Sequence, residues 1–115
     1  MDDFKVNLQL EKSVARLSMS GDLTHLAEER MATIFEKIQS SGARFVVLDF
    51  RRVEYINSAG MSVLITLLTR SQKAGLELRA FGLSPHYQKI FDMVGLLKYI
   101  PHFDSEESAF KGLPS

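Results

Sequence analysis

Phe45-Val46-Val47-Leu48 is apolar throughout, with no alternation of character. A strand with one wet face alternates, because successive side chains point to opposite sides; a strand that does not alternate is covered on both. Two-sided cover goes with parallel neighbours, whose crossover helices lie against the sheet. The run therefore predicts the central strand of an α/β layer structure, and the rest of the chain must supply its cover. Part of that cover follows at once. After Asn57-Ser58, the residues Met61, Val63, Leu64, Ile65, Leu67 and Leu68 take up most of a helix circumference, leaving Ser62, Thr66, Thr69, Arg70 and Lys73 for water. The pattern predicts a helix sandwiched between neighbours.

The flanking segments read as its partners. Phe4, Val6, Leu8 and Leu10 alternate with Lys5, Asn7, Gln9 and Glu11, a strand with one buried face, and residues 14–19 are spaced to pair back as a hairpin. Ser20-Gly21-Asp22 is expected to end that strand. Apolar residues at 23, 26, 27, 31, 34, 35 and 38 predict an amphipathic helix, with Asp22 or Thr24 to cap it and Ser40-Ser41-Gly42 to stop it. Residues 49–56 read as a polar connection anchored by Val53 and Ile56. Gly75 closes the helix that follows, and residues 76–81 supply another strand. Ser84-Pro85 opens a helix with Tyr87, Ile90, Phe91 and Val94 inward. Residues 96–100 predict a short strand, and Asp104-Ser105-Glu106-Glu107 leads into a last helix with Ala109 and Phe110 inward. The expectation is one small α/β domain over residues 1–115, a mixed sheet of four to five strands with about four helices mainly on one face.

Composition removes several functions. Fourteen Lys and Arg balance fourteen Asp and Glu, so no long-range field draws in nucleic acid or an anionic membrane. Cysteine is absent, which excludes disulfides, thiol catalysis and cysteine-held metals. The longest uncharged stretch, residues 55–69, is fifteen residues, short of the roughly 18 that a membrane-spanning helix needs, so no membrane insertion is expected. The opening Met1-Asp2-Asp3 has no basic and apolar leader, from which a cytoplasmic location is expected. Glycines at 21, 42, 60, 75, 82, 95 and 112 stand too far apart for a phosphate-binding loop, and His25, His86 and His102 lack metal-ligand spacing. Ser58 and Gly60 resemble half of a hydrolase nucleophile elbow, but Ile56 stands where that elbow needs glycine. An enzyme is not expected, nor a cofactor.

Ser58 still stands out. Placed to cap the helix and followed by the small residues Ala59 and Gly60, its hydroxyl is open to a large partner. A phosphoryl group there would add about −1.5 to −2 charges beside helix N–H groups and the positive dipole end, which tolerate an anion. The fold would be spared, while a partner presenting apolar or acidic groups to this end would be expelled. Two readings of Ser58 stand: a helix cap only, or a binding switch.

The run Val47-Leu48-Asp49-Phe50, then Val53, then Tyr55-Ile56-Asn57-Ser58-Ala59-Gly60, resembles the signature of STAS domains, in particular the stand-alone bacterial anti-sigma factor antagonists. Residues 18–23, Gly82-Leu83-Ser84-Pro85 and Phe91-Asp92-Met93-Val94-Gly95-Leu96 agree in order and spacing, so the likeness covers residues 4–110. It implies a small α/β protein that binds an anti-sigma factor serine kinase and so frees a sigma factor. The kinase would phosphorylate Ser58 and weaken the complex, and a serine phosphatase would restore it. ATP and magnesium would belong to the kinase. The family's contact surface maps to Asn57, Gly60, Met61 and Ser62 and to the neighbouring loop Asp22, Leu23 and Thr24. Asn57 stands where many members carry aspartate, and Thr24 where many are acidic. The runner-up is a STAS regulatory or scaffold subunit, for example of a lipid-transport or sensory complex, in which Ser58 is only a cap and is not phosphorylated; a third possibility is a small-molecule or nucleotide binder with weak catalysis.

Overall fold

The computed structural model describes residues 3–114, so Met1 and Asp2 of the opening triplet lie outside the described residues. Five strands form one sheet in the order β1-β2-β3-β4-β5: β1 (Lys5–Glu11), β2 (Val14–Leu23), β3 (Phe45–Ile56), β4 (Glu77–Phe81) and β5 (His102–Phe103). β1 and β2 make the expected antiparallel hairpin, and every later pairing is parallel. Four α-helices lie among the described residues: α1 (Glu28–Ser41), α2 (Ser58–Lys73), α3 (Pro85–Met93) and α4 (Glu106–Phe110).

β3 is central, and Val46, Val47 and Leu48 are fully buried. Its two faces meet different cover. Val46, Leu48 and Phe50 point into the main core with Met31, Phe35 and Ile38 of α1, Val63, Leu64 and Leu67 of α2, and Phe91 of α3. Val47 faces the reverse side, where Val14, Phe81 and Ala109 of α4 close a smaller cluster with Phe45, Phe103 and Phe110. The unalternating run is thus explained by three helices on one side and one short helix on the other.

Four local expectations are corrected. Residues 49–56 are not a connection: β3 runs on to Ile56, and β2 runs on through Ser20-Gly21-Asp22 to pair with it up to Leu23↔Ile56. Two register shifts insert an extra β3 residue each, which breaks the alternation that would have marked a strand. α2 is not sandwiched all round. Its buried stripe is Gly60, Val63, Leu64, Leu67, Leu68 and Ser71, while Ile65 is 45% exposed. Val94 lies past the end of α3 and is exposed. Residues 96–100 contain a 3-10 turn (Leu96–Lys98) in place of a strand, because the Tyr99 and Ile100 N–H groups both donate to the Leu96 carbonyl. The strand is the next segment, β5, which begins after the Pro101 carbonyl accepts the Ala80 N–H (2.9 Å).

Candidate functional site at the start of helix α2

β2 and β3 end side by side at Leu23 and Ile56, and the chain leaves both in tight, mutually bonded turns. Asn57 keeps an extended backbone (φ −96°, ψ −178°), and its N–H donates to the Leu23 carbonyl (3.3 Å). Its Oδ1 accepts the Gly60 N–H at 2.8 Å, and its carbonyl accepts the Met61 N–H at 2.9 Å. Asn57 is therefore the cap of α2, and the expectation that Ser58 caps the helix is corrected. The cap must be the last extended residue, and the bond to Leu23 holds position 57 in that role.

Ser58 becomes the first helical residue, exposed, and its hydroxyl bonds no described residue. Only its carbonyl is engaged by a side chain, accepting from Ser62 Oγ (3.3 Å). A nucleophilic oxygen thus stands at the positive end of a sixteen-residue helix with no structural task of its own. Ala59 beside it is half-buried and presents only a methyl group.

Gly60 belongs to the scaffold. It is buried, and a Cβ there would collide with the carbonyl oxygen and carbon of Leu23 and press on Ile56 Cγ2 (3.3 Å). The first turn of α2 can lie against the end of β2 only because position 60 has no side chain. Leu23 is fully buried. Thr24 is 8% exposed and caps the next segment, with Oγ1 accepting the Leu26 N–H (3.2 Å) and the carbonyl accepting the Ala27 N–H (3.0 Å). Of the residues named from sequence, Ser58 and Ser62 are exposed, Asp22, Asn57 and Met61 are half-buried, and Leu23, Thr24 and Gly60 are buried beneath them.

Two surface features escaped sequence reasoning. The 3-10 turn His25–Ala27 precedes α1, so Leu26, counted in the buried stripe, is 70% exposed beside the capping Thr24. A groove of about 490 Å³ also runs between α1 and α2 from the Ser58 end, with His25, Glu28, Ala59, Ser62, Thr66 and Arg70 on its walls. Its signal was present in the polar stripe of α2, but that stripe does not reveal that α1 stands beside it.

The histidines are not gathered into a site. His102 Nε2 accepts the Leu83 N–H (3.1 Å), and burial, opposed by the charge of Asp104, holds its imidazole below the ordinary value. His86 stands edge-on to Tyr87 (4.9 Å), whose hydroxyl oxygen accepts the Ile56 N–H (2.9 Å) and so ties α3 to the end of β3. Among the described residues no three of His, Asp or Glu come together as metal ligands, and no helix is long and apolar enough to cross a membrane.

Residues 5–109 match the STAS domain family. The chain is 26% identical over 113 residues to an anti-sigma F factor antagonist of Paenibacillus polymyxa, covering 94% of this chain and 97% of that protein. It is 34% identical over 83 residues to BtrV of Bordetella bronchiseptica, a candidate anti-sigma factor antagonist, covering 72% and 71%. Among solved structures, an anti-sigma factor antagonist from Mycobacterium paratuberculosis superposes with a TM-score of 0.80 at 16% identity, over 96% of this chain and 94% of that one. The antagonist SpoIIAA of Bacillus matches in its unphosphorylated form (TM-score 0.72, 18% identity, 90% and 92% covered) and in its phosphorylated form (0.71, 17%, 90% and 96%).

Proposed function

The chain belongs to the STAS domain family, and on that premise we propose that it is an anti-sigma factor antagonist, a single-domain protein that binds an anti-sigma factor serine kinase and is released by phosphorylation of Ser58. The observation that carries this reading is the exposed Ser58 hydroxyl, which bonds no described residue because Asn57 does the capping. In this role the protein is a substrate, not a catalyst, and the nucleotide and its metal belong to the partner. Relatives named as antagonists support the assignment, as does SpoIIAA, known both with and without phosphate.

The physics of the switch follows from the helix end. A phosphate on Ser58 sits beside N–H groups of the first turn that have no helical acceptor, so the modified chain keeps its fold. The partner meets a different surface: about two negative charges, strongly hydrated, where a small hydroxyl stood. Exposed Ser62 and half-buried Met61 and Asn57 would share the contact, with Asp22 at its border; Leu23, Thr24 and Gly60 would shape it from below. A serine phosphatase resets the system, which operates where sigma factors act, in the cytoplasm.

The test is phosphate transfer from the cognate kinase to purified protein. Ser58→Ala should bind the kinase and incorporate no phosphate, and Ser58→Asp should bind at least about tenfold more weakly. Phosphate uptake by Ser58→Ala at the unaltered rate would show the assignment to be wrong. Copurification of a membrane or sensory complex with no kinase in it would favour the scaffold role instead.

A further inference from the structure

β1 is one edge of the sheet, and among the described residues no strand pairs with its outer side from Lys5 to Glu11. Such an edge presents a row of unpaired N–H and C=O groups, and single chains blunt it with charged side chains, proline, a bulge or a charge aimed at the core side. β1 has no proline, bulge or inward charge, and its charges, Lys5 and Glu11, stand only at its two ends and are of opposite sign. Its register with β2 is unbroken from Lys5 to Glu11, it contains no proline, and its core-side positions are Val6, Leu8 and Leu10. At the strand's entry Arg30 Nη1 donates to the Phe4 carbonyl (2.8 Å); from Lys5 onward β1 pairs, among the described residues, with β2 alone. Leu10, although on the core side, is 48% exposed.

The residues of β1 carry matching chemistry in both directions. Turned end for end about Leu8, the strand sets Lys5 against Glu11, Val6 against Leu10, Asn7 against Gln9, and Leu8 against itself. Directly opposed residues of an antiparallel ladder share a face, with Cβ atoms about 5 Å apart. Both members of each pair also have numbers of the same parity, so backbone groups that point outward on one strand meet outward-pointing groups on the other. A slip of two residues destroys the match: one direction sets Glu11 against Asn7, the other sets Lys5 against Gln9 and Asp3 against Glu11.

We propose that β1 pairs antiparallel with β1 of a second copy, in the register centred on Leu8, joining two five-stranded sheets into one continuous sheet across a two-fold axis. Lys5 of each copy pairs with Glu11 of the other, at both ends of the contact. The exposed Leu10 of each copy covers Val6 of the other, beside a shallow depression lined by Val6, Arg30, Thr33 and Ile34. The contact explains why an apolar knob and an unblunted edge occur on the same strand.

Sedimentation equilibrium of the full chain, from micromolar to millimolar protein, tests this. The mass should rise from 13.0 kDa toward twice that value. Lys5→Glu and Glu11→Lys each set like charges opposite one another at both ends and should weaken self-association about tenfold or more. Mixed in equal amounts, the two variants regain opposite charges at both ends and should associate with each other as tightly as the wild type does with itself. The double variant K5E/E11K should likewise recover. Urea midpoints taken at protein concentrations low enough for every variant to be monomeric, expected unchanged because both positions are exposed, separate lost association from lost folding; if either single variant unfolds, the double variant carries the test. A wild type that stays at 13.0 kDa into the millimolar range overturns the dimer. A dimer that survives either single exchange, or that mixing fails to restore, places the contact elsewhere and overturns it equally.

Discussion

Two neighbouring residues, Asn57 and Ser58, divide work that either could do. Asn57 satisfies the helix end, so Asn57→Ala should lower stability by about 1 kcal/mol, read as a lower urea midpoint, while Ser58→Ala should change it by less than about 0.5 kcal/mol. A loss in Ser58→Ala as large as that in Asn57→Ala would return the capping role to the serine. Gly60→Ala should be the costliest single methyl at the site, about 1 to 3 kcal/mol, because the Leu23 carbonyl already fills the space. At this scale the sequence brought Asn57 and Ser58 to one helix start and did not show which of them caps it. Asparagine and serine are both good caps, and what selects between them is a backbone bond to Leu23, far away along the chain.

Among elements, the long regular pieces were legible and the interrupted ones were not. β1 and α1 carry undisturbed periods, the first four residues of β3 an unbroken apolar run, and the Ser84-Pro85 start of α3 a cap, with Ser84 Oγ accepting the Tyr87 N–H (3.3 Å). The second half of β3 lost its period to two bulges, and the two residues of β5 are too few to have one. β5 is held in part by His102, whose neutral Nε2 accepts the Leu83 N–H. Since burial holds this imidazole below its ordinary 6.5, the unfolded chain takes up the proton first as pH falls. The His102 contribution should therefore be fully present above about pH 6.5 and be lost as pH drops through the lower folded value. Urea unfolding followed from pH 8 to pH 5 should show this decline, and His102→Gln, which keeps an acceptor and does not titrate, should flatten it.

At the scale of the molecule, the two-sided cover of β3 was readable from Phe45-Val46-Val47-Leu48, but the means of fastening the second side was not. α4 is only five residues long and is held to the sheet by charge: Arg16 donates to Glu106 (3.0 and 3.1 Å) and to Asp49 (3.2 Å), Arg51 to Asp49 (2.8 Å), and the Arg16 guanidinium lies over Phe81 and Phe110. No period or spacing announces pairs so distant in sequence. Burial pushes the Asp49 carboxyl upward, but hydrogen bonds and charge from Arg51 and Arg16 outweigh it and leave the group below its ordinary 3.8. Its contribution is thus complete above that value and lost as pH falls through the lower folded one. The carboxyl that fastens α4 itself is Glu106, which the hydrogen bond and charge of Arg16 likewise hold below its ordinary value, so acid should loosen α4 in a step distinct from that of His102. Fluorescence from a probe on α4 should report that step, and Glu106→Gln should remove most of it.

Gly60, seated against the Leu23 carbonyl, leaves no room for even a methyl group between the two segments that frame Ser58. If Ser58 is the place where this chain is marked, a junction so closely fitted would have the mark read from outside, as altered charge at the mouth of the helix.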